Sequence, residues 1–378
     1  MTEQETLCMM ALTRVPGLSL SGLRLLLDEA GSATTIYEHR QHIRDVMPEI
    51  HSRAVEGIST MDSLMGRAEE EYRFAVQGSI RCLGIHDEDY PARLRECPDA
   101  PILVYFRGTA DLNAPRVVSM VGTRRITSYG RDLCAQFVAE LRSLLPDVLV
   151  VSGLAYGVDI HCHRAALAQG LPTVGVLAHG MDQIYPRMHR ADAVRMLEQG
   201  GLLTEFMSQT NADKKNFVQR NRIVAGMSDA TIVVESASKG GSLITAGIAS
   251  AYNRDVFAFP GRVGDTYSEG CNELIRSNRA ALLTSAEGLL QAMGWESSEW
   301  RKQQLAGGVQ QNLFPTLSPE EQVVVNALRG DEGMQMNVLT IRTGIPVGSL
   351  ASLLFALEMK GVVRTLSGGM YRLVNSSF

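Results

Sequence analysis

Arg116-Val-Val-Ser-Met-Val-Gly-Thr-Arg-Arg125 decides the fold of this chain. A nearly unbroken apolar run, 117–121, is closed by a glycine, and a helical pattern starts near Ser128-Tyr-Gly130. An apolar run without alternation reads as a strand covered on both faces, and a following helix makes it half of a parallel β-α-β unit. The unit repeats. Similar runs fall at 148–151, 173–177, 202–204, 230–234, 256–259 and 282–283, with amphipathic helical stretches between them. This pattern predicts a doubly wound, Rossmann-like α/β sheet from 116 to about 290. Ligands of such sheets sit at the carboxyl ends of the strands, so the chemistry should lie just after each run.

Outward from this centre the pattern changes on both sides. Residues 1–75 carry helical periodicity broken by Val15-Pro-Gly-Leu18, a turn between two helices. With Gly31-Ser32 after it, this resembles a helix-hairpin-helix element, whose turn amides can hold a phosphate; a purely steric role for the Pro-Gly turn fits as well. Residues 295–317 are polar without a sustained apolar period and read as a linker. Ser318-Pro-Glu-Glu321 then caps a first helix, and two more short helices lead to Lys360. Residues 362–366 and 370–373 form a hairpin through Ser367-Gly-Gly369, which completes a winged helix over 318–375. Its presumed recognition helix, 346–360, holds a single cation, Lys360, whereas a helix that reads the major groove needs exposed Arg, Lys, Asn or Gln. Contact with protein is at least as good an expectation there as contact with duplex DNA. The α/β domain takes 79–293.

A length of 378 residues and 45% hydrophobic content suit several packed cores. No apolar run approaches the roughly 18 residues of a membrane span, and Met1-Thr-Glu-Gln-Glu-Thr is acidic where a signal peptide is basic, so a cytoplasmic location is expected. The six cysteines lack a CxxC pair, which disfavours a zinc ribbon and a dithiol site; reduced, mostly buried thiols are expected. A net charge of -5 excludes a general basic coat, so any nucleic-acid site must be a local patch.

Such a patch is Asp213-Lys-Lys-Asn-Phe-Val-Gln-Arg-Asn-Arg222. Lys214, Lys215, Arg220 and Arg222 offer charge and forked donors to phosphates, Asn221 an amide, and Phe217 a face for an unpaired base. After the first strand, Gly122-Thr123-Arg124-Arg125 and the following helix start read as an anion site. The second strand ends at Ser152-Gly153, and a glycine turn, Lys239-Gly-Gly241-Ser242, offers amides and a hydroxyl for a second phosphate. Neither GxGxxG nor GxxxxGK[ST] occurs, which disfavours a dinucleotide cofactor or a Walker-type ATPase. Asp159, His161 and His163 stand at i, i+2 and i+4, with His161 off the face shared by the others. Asp159 is therefore expected to orient the helix start and His163 to be a satisfied, partly buried imidazole; no metal is expected.

With these residues in view, the chain resembles the DprA/Smf family of bacterial DNA-processing proteins. The resemblance rests on 121–124, 152–159 with His163, Thr204-Glu205, Phe217 with 220–226, Val233-Val-Glu235, 241–246, Phe259-Pro-Gly261 and 268–275, and on His86-Asp-x-x-Tyr90-Pro-x-x-Leu94 before them. It implies an extended Rossmann-like sheet between an N-terminal helical domain and a winged helix. It also implies a recombination mediator that binds single-stranded DNA, protects incoming strands in natural transformation and loads RecA, acting as a homodimer or larger assembly. By position, Arg124 matches the family's phosphate-binding arginine, Lys214 and Phe217 its DNA-contacting lysine and aromatic, and Arg220, Asn221 and Arg222 its RNR motif, with Gly122, Gly153, Gly241 and Ser242 lining the pocket. Tyr156 and the turn 235–239 depart from the pattern.

Two rivals stand beside this reading. A lysine-decarboxylase-like phosphoribohydrolase needs a carboxylate three residues after Thr245, where this chain has Ile248, and the motifs assemble no acid/base pair. A promoter-binding regulator needs cations on the recognition helix. A binding protein rather than an enzyme is expected.

Overall fold

The computed structural model describes residues 1–295, 317–329, 333–360, 362–366 and 370–373. They form two compact units, divided after Met293. In the first, helices α1 (Glu3–Leu12), α2 (Leu20–Ala30), α3 (Ala33–Glu38), α4 (Ser52–Ser59) and α5 (Met61–Gln77) precede β1 (Arg81–Gly84), α6 (Ala92–Arg95) and β2 (Leu103–Gly108). The winding part follows: β3 (Val117–Val121), α7 (Ser128–Leu144), β4 (Leu149–Ser152), α8 (Val158–Gln169), β5 (Thr173–Val176), α9 (Arg190–Gln199) and β6 (Gly200–Thr204). Then come α10 (Lys214–Gly226), β7 (Ala230–Val233), α11 (Gly241–Ala251), β8 (Asp255–Ala258), α12 (Glu269–Arg276), β9 (Ala281–Leu282) and α13 (Ala286–Met293).

The nine strands make one sheet in the order β1-β2-β6-β5-β4-β3-β7-β8-β9. From β6 to β9 neighbours are parallel, and β2 and β1 add an antiparallel edge. Every residue of β3, β4, β5 and β7 is buried, the condition a continuous apolar run encodes. The hydroxyls within these strands are satisfied across the sheet: Ser119 Oγ lies 2.8 Å from Thr231 Oγ1, Ser152 Oγ donates to Met120 O, and Thr173 Oγ1 donates to Val150 O.

Strand β6 begins two residues before the expected run. A Cβ at Gly200 would sit 1.9 Å from Thr173 O, and one at Gly201 2.5 Å from the Phe106 ring, so β6 fits between β5 and β2 only as glycine there. Helices α1 and α5 pack on β1, and one hydrophobic core runs from Cys8 through Ile58, Phe106 and Val151 to Ala280. The Val15–Leu18 turn packs on α4, where a Cβ at Gly57 would meet Pro16 O at 2.3 Å, while Ser19 Oγ accepts from Gly22 N to cap α2. That turn thus has a steric role within the core. Five of the six thiols are buried and none forms a disulfide.

The second unit contains α14 (Pro319–Leu328), β10 (Met334–Gln335), α15 (Met336–Thr343), α16 (Val347–Met359), β11 (Val363–Leu366) and β12 (Met370–Leu373). Ser318 and Glu321 form the capping box, with Glu321 N donating to Ser318 Oγ at 3.1 Å and Ser318 N to Glu321 Oε2 at 2.7 Å. Strand β12 pairs with both β11 and β10, so the hairpin gains a third strand. The linker, apart from its first and last residues, and the 367–369 turn lie outside the described residues. Among those described, no single helix is long and apolar enough to cross a membrane. The bent apolar pair α15–α16 buries Leu339, Leu350, Leu354 and Leu357 in this unit's core.

Candidate nucleic-acid interface

The winding reverses between β3 and β7: from β3 the chain builds outward through β4, β5 and β6, then crosses back to β7 and continues to β9. The carboxyl ends at such a reversal diverge and leave a crevice. Here it is a cavity of about 510 Å³, lined from β3 by Gly122, Thr123 and Arg124, from the β4 end by Gly153, from α10 by Lys214, Phe217, Arg220 and Asn221, and from the α11 start by Gly241 and Ser242. These ten expected residues come together. Arg125 and Lys215 are exposed outside the lining, and Arg222 is buried away from it. Asp159, Val218, Ile244 and Thr245 are among the other residues of the wall.

The end of β3 is pinned on both sides. Thr123 N donates to Glu235 O at 2.7 Å and Val158 N to Thr123 O at 3.1 Å, while a Cβ at Gly122 would sit 2.4 Å from Val158 Cγ2. This close packing turns the chain and presents Arg124 to solvent. Its guanidinium lies over Phe217, 4.8 Å from the ring centroid, and Tyr185 approaches the same ring at 5.8 Å. Among the described residues Arg124, Arg125, Lys214 and Lys215 have no carboxylate partner.

Lys214 is the first residue of α10, a place where the helix dipole disfavours a cation. Asp213 does not cap that helix through its side chain, and α11, with Gly240 at its N-cap, has no side-chain cap either. Two helix ends with open amides therefore meet the cavity, which suits phosphate. The helix after β3 is different. Thr127 Oγ1 accepts from Gly130 N, and the buried Glu235 carboxylate accepts from both Thr127 N, at 2.9 Å, and Thr127 Oγ1. The anion expected at the α7 end is thus the chain's own Glu235, a correction to the sequence reading. Ser242, expected as a phosphate donor, gives its hydroxyl proton to Ser236 Oγ at 2.9 Å, so only its backbone remains to serve a ligand.

The two arginines of α10 are structural. Arg220 is 3% exposed and donates from Nη1 to Gly153 O and, at 2.5 Å, to Val176 O, tying the ends of β4 and β5. A Cβ at Gly153 would sit 2.0 Å from that nitrogen, so the glycine is needed for the arginine. Burial lowers the Arg220 pKa to about 10 against the pull of Asp159. Asp159 accepts from Ala155 N at 3.3 Å, and burial raises its pKa in spite of Arg220. Arg222 reaches Asp99 O and pairs with Glu205, whose pKa is raised by burial despite that partner. His163 is fully buried rather than partly so, and only half satisfied: Thr173 gives its proton to Val150 O, so His163 Nδ1 is the donor in their 2.7 Å bond, while Nε2 has no hydrogen-bond partner among the described residues. Burial lowers its pKa to about 3.

Helical spacing separates these roles. Lys214, Phe217, Val218 and Asn221, at i, i+3, i+4 and i+7, share the face toward the cavity, and Lys215, Gln219 and Arg222 share another. That spacing was legible in the sequence. Tyr185 was not, since nothing in Ile184-Tyr185-Pro186 ties it to a ring 32 residues on.

Fold and site define a Rossmann-like α/β protein with a cationic, aromatic-bearing cleft at the strand-order reversal, joined in sequence to a winged helix. Residues 81–294 match the family model for DNA recombination-mediator protein A, and 312–369 that for the DprA winged helix domain. The chain belongs to the DprA/Smf family of DNA-processing proteins. It is 32% identical over 315 residues to a putative DNA processing protein DprA of Mycobacterium tuberculosis, covering 80% of this chain and 79% of the relative. It is 34% identical over 293 residues to protein Smf of Escherichia coli, covering 76% and 75%. Among solved structures it superposes on DprA of Streptococcus pneumoniae with a TM-score of 0.64 at 29% identity, over 77% of this chain and 98% of that one. DprA of Helicobacter pylori, reported for its unique single-stranded DNA binding mode, superposes with a TM-score of 0.51 at 28% identity, over 57% and 95%.

Proposed function

We propose that the cleft binds single-stranded DNA and that the protein uses it to protect incoming strands and to load RecA during natural transformation, as a homodimer or larger homo-oligomer in the cytoplasm. The observation that carries this reading is the set of unpaired cations, Arg124 and Lys214, flanking Phe217 beside two uncapped helix ends. A base takes the Phe217 face while the Arg124 guanidinium swings from the ring to a phosphate, and the amides at Lys214 and Gly241 receive the next phosphate. Gly122, Thr123, Asn221 and Ser242 line the path, Arg125 and Lys215 meet the backbone outside it, and Arg220, Gly153 and Arg222 hold the walls.

Two facts support binding over catalysis. The cleft's carboxylate, Asp159, is buried and engaged with backbone, and Ile248 stands where a phosphoribohydrolase needs its acid. The single-strand binding reported for the Helicobacter pylori relative points the same way. The test is recombinase ATPase activity on single-stranded circles pre-coated with single-strand-binding protein. The parent should relieve the block and the Arg124→Ala/Lys214→Ala variant should not. A parent that binds the circles without relieving the block would overturn the loading role.

A further inference from the structure

We propose that the single-stranded path continues past Phe217, over Tyr185, into a second groove where Arg107, Arg187 and Arg190 hold the phosphates that flank those in the cleft. This rests on the single-strand reading of the cleft. The groove has a volume of about 530 Å³ and lies between the carboxyl end of β2, the 181–187 loop and α9.

Continuity is the first support. Tyr185 lines this groove, is 43% exposed, and has its ring 5.8 Å from Phe217, which lines the cleft. The two cavities thus share an aromatic divider.

Charge is the second. Arg107, Arg187 and Arg190 are all exposed, and among the described residues none has a carboxylate partner. The one acid in the lining, Asp182, accepts the Gln209 backbone N–H at 3.0 Å. Nearby Arg164, by contrast, is engaged with Asp192 at 2.9 Å. Arginines that hold this region together are paired, and those facing the groove are not.

Placement is the third. Arg190 opens α9, which has no side-chain cap, and Arg187 sits in the short 3-10 turn before it. A cation at a helix start opposes the dipole, as Lys214 does at α10, so helix stability does not account for either. The groove floor of Ala193, Leu197 and Leu202 gives base faces an apolar surface.

The test measures affinity for oligothymidylates of about 4 and about 16 residues, across a salt series, for the parent, Arg187→Ala/Arg190→Ala, Tyr185→Ala and Arg124→Ala. The double variant should bind the long strand about five- to tenfold more weakly, with a salt slope shallower by about 1.4, and the short strand like the parent. Tyr185→Ala should lose length-dependent affinity with little change of slope. Arg124→Ala should weaken both lengths, and circular dichroism should show every variant folded. If Arg124→Ala weakens both lengths while the double variant matches the parent, the second groove is wrong and the cleft stands. Equal loss on short and long strands in the double variant also overturns the groove. If Arg124→Ala changes neither length, the cleft reading fails first.

Discussion

The cleft of the α/β unit and the α16 helix of the winged unit both occupy places where related architectures meet nucleic acid, and they are built from opposite materials. The cleft joins free cations, a phenylalanine and open helix ends. Helix α16 has Glu358 as its single charged residue, and the adjoining Lys360 is tied to Glu321 at 2.6 Å. Its exposed side carries Val347, Phe355 and Met359, the last two 66% and 75% exposed. Architecture alone therefore does not assign a DNA site; the proposal rests on unpaired charge and an available ring.

The sharpest way to separate support from contact within the cleft is Arg222→Ala. It leaves Glu205 buried without its cation, so unfolding in urea should show a loss of about 3–5 kcal/mol, while affinity for single strands per folded molecule stays at the parent value. A loss of affinity with intact stability would move Arg222 into the interface. His163 gives a second test of the walls. Its pKa is lowered to about 3 in the fold against 6.5 ordinarily, so the unfolded chain takes up the proton first as pH falls. The stability is complete above about pH 6.5 and drains away toward pH 3, with about 2 kcal/mol gone at pH 5. His163→Gln should flatten this part of the profile of urea midpoint against pH, and an unchanged profile would remove His163 as its source.

Phe217→Ala should cost about 1–3 kcal/mol of single-strand affinity with the salt slope nearly intact, and Lys214→Ala should lower that slope by about 0.7. A Phe217 effect that vanishes at high salt would show that the ring merely positions Arg124. The winged unit supplies the smallest effect: Phe355→Ser and Met359→Ser should leave DNA affinity unchanged and stability within about 0.5 kcal/mol. A large loss of DNA binding there would erase the contrast between the two regions.

Much of this was legible in the sequence, for identifiable reasons. Strands β3, β4, β5 and β7 are buried on both faces and so show as apolar runs; β1, with Arg81 exposed at one end, gives no such run. The basic segment of α10 was visible, but its division into Lys214, facing solvent, and Arg220 and Arg222, facing the sheet, depends on carbonyls and acids from Asp99, Gly153, Val176 and Glu205. The α7 end looked open because its occupant, Glu235, lies 108 residues along the chain. Local pattern reveals what a segment offers, and long-range pairing decides what it keeps for itself.

The central claim is tested most directly by titrating the protein with one fluorescent oligonucleotide, as single strand and as duplex, over a salt series, beside Arg124→Ala. The cleft predicts salt-sensitive preference for the single strand, with affinity and slope both reduced in the variant by about one phosphate contact. Equal binding of both forms, or binding that ignores Arg124, would contradict it.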